Sequence, residues 1–523
     1  MNYLNSLLLF LLLTMMPVAS AQTEPQPRSC ARTMAQHLPQ TDVFIATRTD
    51  ATYLDQLDRL FAQITSALPE ATTQTITLRQ LINDLVAPEI GLDVTAIVDT
   101  WLGNCIAIGI KQIEYLLDDD PANDAETTFY LAAQIENRSL ATLSLSTLGL
   151  INEAMSEQRE PFTVYTNPAE QTTITLSDEM AFVSVGETDP LLTVEAPLGE
   201  QPTFTGTLAE LPVNPYDLIV YDTTSSFLRW VGADPAIEEI LTAVVLNPET
   251  LVSGAVGVRF ADTDTLIADF AQLRTIETMT NDPAIDPTFT RYFPADASAT
   301  VQATNIQTLL NTAAGLIASI SASDTPEDIL AQFETLSSLI LGLDLQNDVL
   351  SLAQGDYGAF VYAPTIPEDG NLENLPLEYG LLFEITNRER GQALVDNVTT
   401  SIVEVFDETR TYKETFTGAR YTVEASVLQI EADSFYLGVT DQFLFLATEP
   451  ALQRLIEATT GLSQTTFYQQ ANEDFLTEPN VAVVLNGAEL TDEAINIASI
   501  SLSDSANNSL LIRLVIELTA QTG

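Results

Sequence analysis

Residues 339–361 read L-I-L-G-L-D-L-Q-N-D-V-L-S-L-A-Q-G-D-Y-G-A-F-V, and residues 85–110 read L-V-A-P-E-I-G-L-D-V-T-A-I-V-D-T-W-L-G-N-C-I-A-I-G-I. The two stretches follow one plan. A helical pattern stops at Gly-Leu-Asp, the aspartate opens a short second helix, and a glycine breaks the chain before an apolar strand. Gly342-Leu343-Asp344 follows Gly91-Leu92-Asp93 by 251 positions. This spacing suggests that the chain holds two copies of one unit.

The order of elements outward from the two turns agrees with that reading. Upstream of the first turn, residues 43–47 form a β-rich run and Asp50 opens a helix. Leu54, Leu57, Phe61, Ile64 and Leu68 make one face of it, and residues 76–86 form a second helix. Upstream of the second turn, residues 300–303 form the strand. Leu309, Leu310, Ala313, Leu316 and Ile317 line the first helix, and Thr325-Pro326-Glu327-Asp328 opens the second. Downstream, the strand at 105–110 matches 357–362, the acidic loop 118–126 matches 364–376, and 129–135 matches 381–385. Asn137-Arg138, a helix start running to about 155, matches Asn387-Arg388. A strand cluster (162–165, 172–176, 181–185) matches 421–423, 427–430, 435–439 and 443–446. Residues 218–221 match 481–485, and 251–260 match 510–518, with a helix at 235–245 in the first unit and at 451–458 in the second. Helical and period-two patterns mix without strict alternation, so the expected fold class is α+β, two tandem copies of a mixed helix and largely antiparallel-sheet unit. The units are expected at 41–290 and 291–523.

Residues 1–21 carry no charged side chain; an apolar run at 7–16 is followed by Pro17 and Ala19-Ser20-Ala21. That is the pattern of a secretory signal peptide cut before Gln22. The run is about half the ~20 residues a membrane helix needs. Residues 22–40, with Pro25, Pro27 and Pro39, read as a linker. No later stretch has the unbroken apolar length of a transmembrane segment, so the mature chain is expected outside the cytoplasm: secreted, periplasmic or at the cell surface. Cys30 and Cys105 are the only cysteines. In an oxidising compartment they are a disulfide candidate, tying the linker to the first unit's sheet; the alternative is a buried Cys105 thiol with Cys30 free.

The chain has 523 residues and a net charge of −54, and Lys111 and Lys413 are its only lysines. Such a surface repels nucleic acid and anionic lipid. It favours solubility, and the acid excess with few lysines suits a salty or cation-rich medium. Residue types also restrict the chemistry. His37 is the only histidine and stands beside the linker, so a Ser-His-Asp or Cys-His site would have to use it. The sequence contains no Gly-x-Ser-x-Gly elbow and no glycine-lysine pair for a phosphate loop. One histidine and two distant cysteines do not make a zinc site. The loop 118–126 and Glu368-Asp369-Gly370 lack the spacing of a calcium loop. Asn137-Arg138-Ser139 and Asn397-Val398-Thr399 fit glycosylation sequons.

The Gly-Leu-Asp turn, Asp348 after it, and Gly355-Asp356 before a strand resemble the bacterial secreted proteins grouped as domain of unknown function 3352. So does the strand Phe443-Leu444-Phe445-Leu446-Ala447-Thr448 leading into Pro450 and a helix. The first unit departs, with Gly103-Asn104 where the pattern has Gly-Asp. The resemblance implies export and carries no activity, cofactor or site residue with it. The expected function is therefore an exported, non-enzymatic binding or envelope-associated scaffold with an envelope or extracellular ligand. A carboxylate-based polysaccharide hydrolase is the alternative.

Overall fold

The computed structural model of the chain describes residues 30–67, 100–112, 127–169, 171–186, 194–213, 215–223, 251–262, 264–274, 283–304, 306, 326–341, 344–352, 355–362, 378–405, 409–430, 433–486, 495–505 and 509–519. The expected leader, the Gly91 turn, the loops at 118–126 and 364–376 and the helices at 76–86, 235–245 and 309–317 lie outside them. Two compact units form, one from the described residues up to 274, the other from those after 282.

In the first unit the strands are β1 (Val43–Arg48), β2 (Leu102–Lys111), β3 (Thr128–Ile135), β4 (Ser156–Arg159), β5 (Phe162–Asn167), β6 (Thr172–Leu176), β7 (Met180–Val185), β8 (Leu218–Asp222), β9 (Leu251–Phe260) and β10 (Thr265–Arg274). Pairing sets them side by side as β4-β5-β6-β7-β3-β2-β1-β8-β9-β10. In the second unit they are β11 (Ala299–Thr304), β12 (Asp356–Tyr362), β13 (Glu378–Glu384), β14 (Arg410–Thr417), β15 (Thr422–Ile430), β16 (Asp433–Val439), β17 (Phe443–Thr448), β18 (Val481–Asn486), β19 (Ile495–Ser505) and β20 (Ser509–Leu518). Their order is β14-β15-β16-β17-β13-β12-β11-β18-β19-β20. All of these pairings are antiparallel, and the two orders agree strand for strand.

The expected α+β class is therefore a correction. Among the described residues each unit is one broad antiparallel sheet with helices as accessories. The sequence reading overlooked strands whose inward positions are polar. In β10, T-L-I-A-D-F-A-Q-L-R, Thr265, Ile267, Asp269 and Ala271 face inward at period two, with Asp269 fully buried. In β14 every residue but Phe416 is exposed, so no hydrophobic period marks it. Residues 510–518 consequently correspond to β10, not to 251–260, whose counterpart is β19. The strands expected at 421–423 and 427–430 are one, Thr422–Ile430.

The helices are α1 (Cys30–Ala35), α2 (Ala51–Ala67), α3 (Arg138–Thr147) and α4 (Pro202–Glu210), then α5 (Pro326–Leu341), α6 (Arg388–Val405), α7 (Glu449–Glu457) and α8 (Thr466–Glu473). Expected to run to 155, α3 stops at Thr147. Gly149, at φ +74°, takes the left-handed conformation that closes a helix, and the Leu150 amide donates back to the Leu145 carbonyl. Asp344 caps as expected: its carboxylate accepts from the Asn347 amide and Nδ2. The turn it opens, Leu345–Leu350, is a π-helix.

Residues 30–40, read as the end of a linker, form α1 and an extended arm packed on the sheet; Met34, Ala35 and Leu38 are fully buried. Residues 283–290, assigned to the first unit from sequence, contribute Ile285 and Phe289 to the core of the second. That core packs Phe293, Phe360, Leu382, Phe443 and Phe445 under Leu452 and Leu455 of α7 and Tyr468 of α8. In the first unit, Ile106, Ile108, Leu131 and Val183 pack under Ala141 and Leu145 of α3. Fully burying each of these valine, leucine, isoleucine and phenylalanine side chains contributes about 1.5–3 kcal/mol.

Local devices repeat between the units. The Asn137 carboxamide oxygen accepts from the Leu140 amide, and that of Asn387 from the Arg390 amide, both at 3.0 Å. Arg138 pairs with Asp178 at 3.0 Å, and Arg388 with Asp441 at 2.7 Å; each aspartate sits in the hairpin before the last strand of its cluster. Those hairpins are tied by Ser177 and Thr440, whose hydroxyls accept from the amides of Met180 and Phe443.

Candidate functional site

Cys30 and Cys105 form a disulfide, with Cα atoms 5.4 Å apart, and no described cysteine is free. Cys30 opens α1 and Cys105 sits in β2 opposite Arg48 of β1. Alternation along β2 turns Cys105 and Ala107 to the side that α1 covers, while Ile106 and Ile108 enter the core under α3. The bridge consumes both thiols, so neither serves as a nucleophile while it holds. His37 lies just beyond α1, half-buried, its ring 5.9 Å from that of Phe182. Burial lowers its pKa, because it penalises the charged imidazolium. It is a packed residue on the arm that the sequence reads as a linker.

The second unit places a carboxylate at the matching strand position. β1 sets Arg48 opposite Cys105; β11 sets Thr304 opposite Asp356, the first residue of β12. Asp356 is 6% exposed. Its Oδ2 accepts from the backbone amide of Asp286 at 2.7 Å and from Nε2 of Gln302 at 2.5 Å. The same Gln302 amide donates to the Asp286 carbonyl at 2.6 Å, and the Asp356 amide donates to Oε2 of Glu384 at 3.3 Å. Burial pushes the Asp356 carboxyl up to about 6, the Gln302 and Asp286 hydrogen bonds oppose that rise, and the Glu384 and Asp286 charges add to it. Burial likewise raises the nearby Tyr468 phenol, with the Asp356 and Asp286 charges assisting. The strand register also moves the earlier alignment by one residue: Asn104 matches Gly355, and Cys105 matches Asp356.

Sequence names Asp356 only as part of the Gly355-Asp356 turn, and its partners Asp286, Gln302 and Glu384 not at all. A signal was present in β11, A-T-V-Q-A-T, where Thr300, Gln302 and Thr304 recur at period two and all are buried. Polar residues on the buried side of a strand require partners: Gln302 finds them in Asp356 and the Asp286 carbonyl, and Thr304 in the Pro283 carbonyl.

Other polar groups tie the sheet ends. In the first unit, Arg48 bridges Asp50 and Asp217, each at 2.6 Å, and Asp217 Oδ2 accepts from the Phe260 amide. Beside them, burial drives the Tyr53 phenol up to about 12. Tyr216 donates to the buried Asp269 at 2.6 Å. In the second unit, Arg454 stacks 4.0 Å over the Tyr362 ring and pairs with Asp296 and Glu378. Among the described residues no group of three acids, histidines or cysteines is placed to hold a metal ion, and no helix is long and apolar enough to cross a membrane. The sequons are built into helices: Asn137 caps α3, and Thr399 is buried in α6, donating to the Val395 carbonyl. The chain matches no family model and no curated protein.

Proposed function

We propose that the protein is an exported, non-enzymatic scaffold whose two sheet units descend from one duplicated module. It binds an envelope or extracellular ligand that is not a nucleic acid. The Cys30–Cys105 bridge carries the reading, because disulfides of this kind persist in oxidising compartments. The uncharged, apolar N-terminal run, the acidic composition and the resemblance to domain of unknown function 3352 support it. The shared strand order and the repeated Asn cap and Arg–Asp pair support duplication. The test is to fractionate producing cells and weigh the intact chain. Export predicts an extracytoplasmic protein that starts at Gln22 and has no free thiol before reduction. A cytoplasmic protein retaining residues 1–21 and two titratable thiols would refute it.

A second reading, a carboxylate-based polysaccharide hydrolase, draws on one observation. Asp356 lies in the range of a general acid, with Glu384 beside it. Its burial and its hydrogen bonds to main chain and Gln302 suit a structural tie better than contact with substrate. Turnover on a glycan panel, abolished in Asp356→Asn, would support hydrolysis.

A further inference from the structure

The two units enter their sheets by the same route and fasten the entry at the same place with different chemistry. In the first unit the Asp42 amide donates to the Ile110 carbonyl of β2, and in the second the Ser298 amide donates to the Val361 carbonyl of β12. Before those points both arms make a proline bridge, Pro39 to Pro197 and Pro294 to Gly461. Leu38 and Phe293 then accept from the amides of Leu198 and Leu462, which open short 3-10 turns ahead of α4 and α8. Cys30 lies twelve residues before Asp42, and Asp286 lies twelve before Ser298. A one-residue difference in the proline spacing leaves the two within one position of each other. Cys105 and Asp356 hold the same register on the second strand.

We propose that the Asp286–Asp356 contact is the second unit's counterpart of the Cys30–Cys105 disulfide: a proton-set staple standing where the first unit has a redox-set one. The arm that leads into β11 is held by Asp356 accepting from the Asp286 amide, with Gln302 of β11 donating to both residues. The groups facing Asp356 are the Asp286 carboxylate, itself held by the Thr288 amide and hydroxyl, Glu384 from β13, and the Tyr468 phenol from α8. Both charged neighbours are acidic. A neutral Asp356 carboxyl keeps Oδ2 as an acceptor for both donors and removes a buried negative charge beside two others. Because its pKa is raised on folding, its stabilisation is fully present below the ordinary value of 3.8. It is lost as pH rises through about 6.

The test is peptide-resolved hydrogen exchange of the full chain, corrected for intrinsic exchange rates. Raising pH from 5 to 8 should loosen residues 283–304 and 356–362 roughly tenfold, below the roughly hundredfold span of a two-unit shift because at pH 5 part of the stabilisation present below 3.8 is already lost. Residues 30–48 and 102–111 should respond instead to reductant. Asp356→Asn should flatten the pH response and leave the reductant response in place. The double variant Asp286→Cys/Asp356→Cys should form a second disulfide, seen as no free thiol before reduction and four after it. A pH response equal in both units, or one unchanged in Asp356→Asn, would overturn the proton-set role. Two persistently free thiols in a folded double-cysteine variant would overturn the positional equivalence.

Discussion

Replacing both bridged cysteines, Cys30→Ala/Cys105→Ala, isolates the covalent tie of the first unit. The bridge closes a chain separation of 75 residues. In the chain-entropy model a loop of that size stabilises by about 4 kcal/mol at 25 °C. Cysteine to alanine removes only a sulfur atom at each buried site, so the entropic loss dominates. For a unit of 150–250 residues, 4 kcal/mol corresponds to roughly 8–16 °C in melting temperature. The assay is thermal or urea unfolding followed by peptide-resolved exchange, so that each sheet reports separately. Peptides covering 43–48 and 102–111 should lose protection early, whereas those covering 299–304 and 378–384 should keep the wild-type midpoint. Reductant should reproduce the effect in wild type and add nothing in the variant. A first-unit loss below about 1 kcal/mol would refute the reasoning, because the arm would then be held by packing of α1 alone.

Three further outcomes follow from other contacts. Phe445→Ala empties a fully buried site under α7 and should cost about 3–5 kcal/mol by urea unfolding of the second unit. Asn137→Ala and Asn387→Ala each remove a carboxamide cap and should each cost about 1 kcal/mol in their own unit; unequal losses in circular-dichroism melts would argue against equivalent helices. Lys413 sits on the exposed edge strand β14, between Asp396 at 3.1 Å and Glu424 at 3.5 Å. Lys413→Val should change stability by less than about 1 kcal/mol yet promote self-association on size-exclusion chromatography, since charge on an edge opposes strand pairing.

What the sequence made legible was apolar and local. The strands at 105–110, 129–135, 181–185 and 443–446 announced themselves by apolar runs, and Asn137, Asp50 and Asp344 by their place before helical periods. Asp50 does accept from the Tyr53 amide at the start of α2. What stayed hidden was polar or long-range. Asp269 in β10 and Gln302 in β11 break the apolar alternation because their partners, Tyr216 and Asp356, arrive from elsewhere in the chain. An exposed edge such as β14 has no buried side to write a period. Helical periods, by contrast, stand out in any window, which tilted the expected class toward α+β although the sheets dominate both units. Residues 30–40 read as a linker because prolines and a lone histidine suggest solvent, whereas the disulfide and the sheet bury that arm.

A crystal structure that traces both sheets tests the central claim most directly. It should show two ten-stranded antiparallel sheets that superpose strand for strand, with Cys105 and Asp356 falling on the same site. Sheets with different strand orders, or those two residues on non-equivalent strands, would contradict it.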